Sequence, residues 1–299
     1  MIVITTPTGG IGRQVLDRVL DSAEPVRVIV RDPFRLPEDI RARVETVEGS
    51  HADADTVAKA LDGADRLFWL VPPPGFRDAR PARRHYLDFT RAAAAEAARR
   101  DVRTVHVTSL GHGHRGEAGL LSAALDMDDL IERAGVRHRA LALPFFMENL
   151  LHQARPIAEH GVFSLPNTAD RPLPAIATRD VSAVAAALLL DTTWTGQARV
   201  PLTGPDNLTP EAMAEILSDV LGRTVRYRQA PLADFRARLV HSGASPALAQ
   251  DMAGMAAAQN NGIYDAEPLD PAVSVTGTGF RQWCEEVLKR AVPGERRAR

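Results

Sequence analysis

Cysteine is almost absent from this 299-residue chain. Cys284 stands alone, so no intrachain disulfide can form and no cysteine-based zinc site can be built. That usage suits a reducing cytoplasm, where the protein is expected to reside. Long hydrophobic runs are also missing. The longest, around Val181 to Leu190, falls well short of the roughly 20 apolar residues that a membrane-spanning helix needs. The N-terminus opens directly into an apolar strand-like run, without the basic segment and cleavage-like stretch of a secretory leader. Charge of one sign is lacking too: a formal net charge of −2 offers no surface to nucleic acid or to an anionic membrane. Arginine and histidine cluster locally, at Arg83-Arg84-His85 and in the tail from Arg296, and these clusters read as solvated faces. Lysine occurs only at Lys59 and Lys289, while arginine and alanine are abundant, the bias of a GC-rich genome.

What remains is an ordinary globular composition, 45% hydrophobic and 25% charged, in a chain long enough to bury a large core as one big α/β domain or two smaller ones. The first half alternates short β-branched runs with longer alanine- and leucine-rich stretches, the pattern of βαβ units feeding a parallel sheet. Strands are expected at Met1–Thr5, Val26–Val30, Val44–Val47, Arg66–Val71, Thr104–Thr108 and His138–Leu143. Helices are expected at Gly10–Ser22, Ala54–Leu61, Ala82–Arg100 and Ala118–Ala134. Each strand is nearly continuous in apolar residues, as when helices cover both faces.

The second half is less regular. Asp180 reads as the N-cap of an apolar helix over Val181–Leu190, and Thr209 as the cap of a helix that Pro210 opens. Helical material runs from Leu232 to Ala258, with a break at Gly243–Pro246. The expected fold is therefore α/β: a Rossmann-type doubly wound parallel sheet over residues 1–153, to which segments near 175–205 return. Residues 154–299 form mainly a smaller substrate-capping region, not an independent module. In that cap Phe235, Leu239, Met252 and Met255 fall on apolar helix faces, as core packing or as an adaptable pocket wall.

The segment Ile2-Val3-Ile4-Thr5-Thr6-Pro7-Thr8-Gly9-Gly10-Ile11-Gly12-Arg13 reads as strand, tight turn and helix start. Glycines there let the backbone approach a pyrophosphate, and a helix N-terminus supplies free N–H groups and a favourable dipole. Thr6, Thr8, Gly9, Gly10, Ile11 and Gly12 are the candidate cradle. Arg31 ends the second strand, where an NAD site usually places a carboxylate for the ribose hydroxyls. An arginine there can instead take a 2′-phosphate through charge-assisted bonds, with Arg35 joining it. The plainer reading pairs Arg31 with Asp32 or with solvent, and Asp32 leaves room for NAD(H). NADP(H) is the expected cofactor. Two more loops should line the groove, at the carboxyl ends of the fourth and fifth strands: Val71-Pro72-Pro73-Pro74 and Thr108-Ser109-Leu110-Gly111.

With these pieces the chain resembles the NmrA-like group of atypical short-chain dehydrogenase/reductases, a group of quinone reductases, isoflavone-type reductases and cofactor-sensing regulators. The resemblance rests on Thr8-Gly9-Gly10-Ile11-Gly12, on Val26-Arg27-Val28-Ile29-Val30-Arg31-Asp32-Pro33 and on Thr108-Ser109-Leu110-Gly111. Its most specific piece is Pro144-Phe145-Phe146-Met147-Glu148-Asn149-Leu150, and a weaker likeness continues through Asp180 and Leu202-Thr203-Gly204-Pro205. The resemblance implies that the segment from Pro144 passes beside the nicotinamide, with Phe146 as a wall for the ring. As the plainer alternative, Phe145 and Phe146 are core aromatics.

Two departures stand out. Thr6 replaces the usual first glycine of the turn. No Tyr-x-x-x-Lys pair exists: neither lysine lies four residues after Tyr86, Tyr227 or Tyr264, and none occurs in the region just after the fifth strand, where isoflavone-type relatives carry theirs. Reduction of a simple ketone develops an alkoxide that needs a proton donor or an oxyanion site. A quinone, or a ketone beside a phenol as in an aromatic polyketide, lessens that need. Candidate donors are Ser109, at the place where related enzymes orient a carbonyl with a hydroxyl, and His112 and His114 in a glycine-rich loop. Ser109 reads equally well as a residue that bonds the local backbone.

A zinc reading of His106, His112 and His114 fails for want of an acidic ligand and a recognised spacing, and no metal is expected. The absence of a Gly-x-Ser-x-Gly elbow argues against a hydrolase. The expected function is an NADPH-dependent reductase of a small, flat, apolar ketone or quinone. Its rival is a non-catalytic NAD(P)-sensing regulator, and only that reading calls for a protein partner. An epimerase-like activity would need the missing acid/base residues.

Overall fold

The apolar runs of the first half become strands that are buried on both faces, because helices pack above and below them. The computed structural model describes residues 1–293, and the basic tail from Arg296 lies outside the described residues. In chain order the first half contains β1 (Ile2–Ile4), α1 (Gly10–Leu20), β2 (Val26–Val30), α2 (Glu38–Arg41), β3 (Glu45–Glu48), α3 (Ala54–Ala60) and β4 (Arg66–Trp69). It continues through α4 (Ala82–Arg99), β5 (Arg103–Ser109), α5 (Leu120–Arg133), β6 (His138–Leu143) and β7 (Phe145–Phe146). The second half contains α6 (Ala154–His160), β8 (Val162–Leu165), β9 (Ala175–Ile176), α7 (Thr178–Leu190), β10 (Gln197–Pro201), α8 (Pro210–Leu221), β11 (Arg226–Gln229), α9 (Leu232–His241) and α10 (Pro246–Asn260). All six strands expected in the first half are present; Val26–Val30 and His138–Leu143 match at both ends, and the others differ by at most two residues at an end, as fraying ends do.

The main sheet has seven strands in the order β10-β6-β5-β4-β1-β2-β3, every pair parallel. The strand order reverses at β1, which lies between β2 and β4. The crevice outside the carboxyl ends of β1 and β4 is therefore the place where a doubly wound sheet takes its ligand. On one face α1 and α7 bury Val15, Leu16, Val19, Val181, Ala185 and Leu189. On the other, α3, α4 and α5 bury Val57, Ala93, Ala97, Met127 and Ile131. A third core lies under the cap, built on Phe163, Leu217, Phe280 and Trp283. Two small parallel pairs stand apart from the main sheet, β8 with β11 and β7 with β9. No helix among the described residues is long and apolar enough to cross a membrane.

Three local expectations are corrected. The helix expected from Val181 starts earlier, at Thr178, with Ala177 at the cap position and no side-chain cap of its own. Asp180 lies inside its first turn and accepts instead from the Thr278 N–H at 2.9 Å and the Thr278 hydroxyl at 2.7 Å. The job of capping falls to Glu148, thirty residues away, which accepts from the Thr178 N–H at 3.0 Å. The cluster Arg83-Arg84-His85 is not wholly a solvated face: both arginines are exposed, but His85 is buried and its Nε2 meets the Pro72 carbonyl at 3.0 Å. The region from Ala118 begins its helix only at Leu120, because Gly119 sits at φ 55 with Asp251 packed against it. Thr209 does cap α8, accepting from Ala212 N–H, and the chain does break between α9 and α10.

Candidate active site

The turn after β1 is built by close backbone approach. Gly9 N–H donates to the Thr6 carbonyl at 2.9 Å, and a Cβ on Gly12 would lie 2.2 Å from that same carbonyl oxygen. The turn needs a left-handed residue at position 6, and Thr6 supplies it with φ 53. A β-branched residue is uncommon there, so this departure from the family pattern stores local strain at the mouth of the crevice. The Thr6 hydroxyl is buried without a hydrogen-bond partner. Thr8 and Gly10 are exposed, Gly9 is half-buried, and Ile11 and Gly12 are buried. Helix α1 begins with no acidic residue in its first turn and no side-chain cap. An orphaned hydroxyl and uncapped amides are a donor set that could hold an anion such as a pyrophosphate.

At the end of β2, Arg31 and Arg35 are both exposed and neither forms an ion pair among the described residues. The plain pairing of Arg31 with Asp32 is not made: Asp32 accepts from the Phe34 N–H at 3.0 Å and caps a short 3₁₀ turn over Pro33–Arg35. Behind Arg31 lies His51, edge-on to Trp69 and Phe89 at 5.2 and 5.1 Å between ring centroids. Neither sequence pattern nor motif spacing pointed to His51, which reads as a loop residue.

The other expected lining residues differ in what they can offer. Val71 is buried, and Pro72 is half-buried with its carbonyl engaged by His85. Thr108 is buried and its hydroxyl donates to the Ala124 carbonyl at 3.0 Å, so its side chain faces α5 and only its backbone can meet a ligand. Pro144 is buried and Phe146 half-buried, and β7 pairs Phe145 with Ala175 and Phe146 with Ile176. Glu148 anchors the end of this block by accepting from the Trp283 indole at 3.1 Å as well as from Thr178.

Of the three candidate donors, Ser109 is buried and its hydroxyl donates to the Leu110 carbonyl at 2.8 Å, the local backbone bond of the plainer reading. His112 is exposed and His114 half-buried. The two share a cleft of about 250 Å³ with Arg83, Ser122, Asp126 and Asp129, beside α5. No tyrosine stands exposed in place of the missing acid. The Tyr227 hydroxyl donates to the Leu165 and Asn167 carbonyls, Tyr264 accepts from Gln259 at 2.8 Å, and burial pushes Tyr86 up to about 12. In the cap, Phe235, Leu239, Met252 and Met255 are all half-buried and α9 has no buried residue.

Three imidazoles are held neutral, His106 and His138 buried and His51 half-buried. Burial pushes His51 down to about 4, His106 to about 3 and His138 to about 4. Their stabilising contribution is complete above pH 6.5, the unfolded value, where the imidazoles are neutral in both states. It is lost as pH falls toward about 4, because only the unfolded chain takes up protons in that window. By pH 5 the loss is on the order of 2 kcal/mol for each imidazole. Thermal melting followed at pH 7.5 and pH 5 is expected to show a midpoint lower by several degrees at pH 5. A flat midpoint across that range would contradict the neutral assignment.

Comparison with known proteins places this geometry in context. The model of the NmrA-like family matches residues 1–285. The chain is 30% identical, over 98% of its length and 100% of the relative's, to a (4-alkanoyl-5-oxo-2,5-dihydrofuran-3-yl)methyl phosphate reductase of Streptomyces griseus. It is 28% identical, over 95% of its length and 96% of the relative's, to an NAD(P)H azoreductase of Xenophilus azovorans. Among solved structures, an NADPH-dependent quinone oxidoreductase of Escherichia coli complexed with NADPH superimposes with a TM-score of 0.76 at 23% identity, covering 98% of both chains.

Proposed function

This chain belongs to the NmrA-like family, and we propose that it is an NADPH-dependent reductase of flat aromatic ketones or quinones. The observation that carries the cofactor half is the pair of free sites on the two sides of the crevice. One is the uncapped start of α1 with the orphaned Thr6 hydroxyl, and the other is the exposed, unpaired Arg31 at the end of β2. In this reading Thr6, Thr8, Gly9, Gly10, Ile11 and Gly12 hold the pyrophosphate, and Arg31 with Arg35 holds the 2′-phosphate. The backbone of Val71, Pro72 and Thr108 lines the groove, and Pro144 and Phe146 wall the nicotinamide. Both curated relatives above are reductases by name, which supports the enzyme over a regulator.

A bound nicotinamide supplies hydride. The protein must then position an acceptor, keep water out and settle the charge on oxygen. With no phenol exposed and no lysine in the segment just after β5, the candidate proton donors are Ser109, His112 and His114, or water. A quinone yields a stabilised phenolate that takes its proton from water, and an ortho-phenolic ketone carries an internal donor. A simple ketone has neither. The absent acid therefore selects the substrate. A lone buried cysteine fits a reducing cytoplasm as the place of action.

The test is NADPH absorbance decay, with an NADH control, against a panel of quinones and polycyclic aromatic ketones. Turnover is expected with NADPH in preference to NADH. His112→Ala and Ser109→Ala are expected to separate the two substrate classes. The donor's loss should lower kcat for a ketone about tenfold or more and leave a quinone nearly unaffected. Tight NADPH binding without turnover across the panel would instead favour a cofactor sensor.

A further inference from the structure

One charged pair holds three backbone groups of the loop that follows β5. Arg199 on β10 donates from Nη2 to the Ser109 carbonyl at 3.0 Å. The same guanidinium forks onto Glu267, with Nε to Oε1 at 2.8 Å and Nη2 to Oε2 at 3.0 Å. Glu267 Oε2 in turn accepts from the backbone N–H of Gly111 at 3.1 Å and of His112 at 3.2 Å. Arg199 is also ion-paired with Asp128 of α5, and Asp128 accepts from His106 Nε2 at 2.8 Å. The side chains of Asp128 and Glu267 keep only 5% and 9% of their exposure.

These parts come from β5, α5, β10 and the cap segment after α10, so no single element could hold the loop in this way. Burying two carboxylates around one guanidinium is costly, and apolar packing would hold a loop just as firmly. What the charged pair adds is direction. The guanidinium takes a carbonyl and the carboxylate takes two amides, which fixes the peptide planes from Ser109 to His112 and thereby the paths of their side chains. The cap segment presses on the same stretch: Gly111 has φ 108, and a Cβ there would lie 2.5 Å from Ile263 Cγ1. Gly111 is thus a position where only glycine lets the cap close.

We propose that Glu267 is a positioning residue, which docks the cap onto the loop of residues 109–112 and sets Ser109 and His112 against the cofactor crevice. The proposal rests on the reductase reading for its kinetic part alone; the docking part stands without it.

Glu267→Gln keeps the size of the side chain and removes its charge. The expected result is a kcat for NADPH-dependent reduction of the flat aromatic ketone 9-fluorenone lowered at least tenfold, with that for 1,4-naphthoquinone nearly unaffected and the NADPH KM changed less than twofold. Amide hydrogen exchange at Gly111 and His112 should rise at least tenfold while the rest of β5 keeps its protection. Arg199→Lys, which keeps the charge and loses the fork, should fall between this variant and the wild type. A purely structural role would instead lower the melting temperature and loosen all of β5, with kcat per folded molecule unchanged, and would overturn the proposal. Unchanged kcat together with unchanged exchange would overturn it as well. Should Glu267→Gln fail to fold, Glu267→Asp keeps the charge with a shorter reach and is read in the same two ways. If the wild-type chain reduces neither fluorenone nor naphthoquinone, the reductase reading fails, while normal exchange at Gly111 and His112 in the variant would still overturn the docking role.

Discussion

Gly12→Ala is expected to abolish useful dinucleotide binding and to destabilise the fold. The added Cβ would lie 2.2 Å from the Thr6 carbonyl oxygen, 2.6 Å from the Thr6 hydroxyl and 2.8 Å from the Thr6 carbonyl carbon. The obstacle is chiefly backbone, so no side-chain rotation relieves it. Helix α1 cannot retreat, because Val15, Leu16 and Val19 are fully buried against the sheet, and Gln14 and Arg18 bond Thr178 and Ser182 on α7 at 3.1 and 3.2 Å. The turn must therefore move, and Thr6 is already left-handed and strained. Overpacking of this kind costs about 1–3 kcal/mol of stability.

Moving the turn also spoils the donor cradle, for which an NADPH Kd raised at least about 100-fold is expected, or about 2.7 kcal/mol. Gly10→Ala is the control, since nothing lies within 4 Å of a Cβ at that position. It should leave the melting temperature unchanged. Fluorescence titration with NADPH and thermal melting of both variants decide the matter. A Gly12→Ala protein that binds and melts like the wild type would show that the turn is not the cradle.

Why some of this geometry was legible in the sequence, and some was not, follows from range. The β1 turn announces itself because strand, glycines and helix start are contiguous. The sheet announces itself because Val26–Val30 and His138–Leu143 are each buried almost throughout, which leaves no alternation to confuse with a surface strand. The start of α7 was misread because its cap is non-local. An aspartate near a helix start is the usual cap signal, yet Asp180 is used by Thr278, ninety-eight residues on, and Glu148 takes over from thirty residues upstream.

The Arg199–Glu267 pair was invisible for the same reason. Each residue alone reads as an exposed charge, and only the fold brings β10 and the cap segment together, across sixty-eight residues. The strand β11 is not legible because Arg-Tyr-Arg-Gln has no apolar run, and only Tyr227 of its four residues is partly buried. His51 illustrates a different limit. A polar residue in a loop carries no sign that two aromatic rings will close over it.

Arg31→Ala is expected to remove the preference for NADPH and to leave NADH almost untouched. Arg31 ends β2, whose register is fixed by parallel pairing with both β1 and β3, and Gly49 N–H closes the same end by donating to the Val30 carbonyl at 3.0 Å. The guanidinium thus starts from a rigid point and is not spent on any carboxylate. Its surroundings reinforce this: His51 is neutral near pH 7 because burial pushes it down to about 4, and it adds no competing charge. Asp32, the one adjacent carboxylate, is occupied by the Phe34 N–H.

A phosphate on the ribose would meet a free fork of donors, and charge-assisted bonds of this type are worth about 1.5–3 kcal/mol each. Two such bonds, partly screened at an exposed site, give an expected rise in NADPH Kd of about 30- to 100-fold in Arg31→Ala. The NADH Kd should change less than about threefold, because a free ribose hydroxyl offers the guanidinium no charge to bind. Arg35→Ala, from a position farther along the loop, should cost less and in the same direction. Raising the salt should weaken NADPH binding more steeply in the wild type than in Arg31→Ala, since one of the interactions being screened is absent there. Equal loss for both nucleotides would assign Arg31 to the fold of the β2 end, and no loss for either would move the 2′-phosphate site elsewhere.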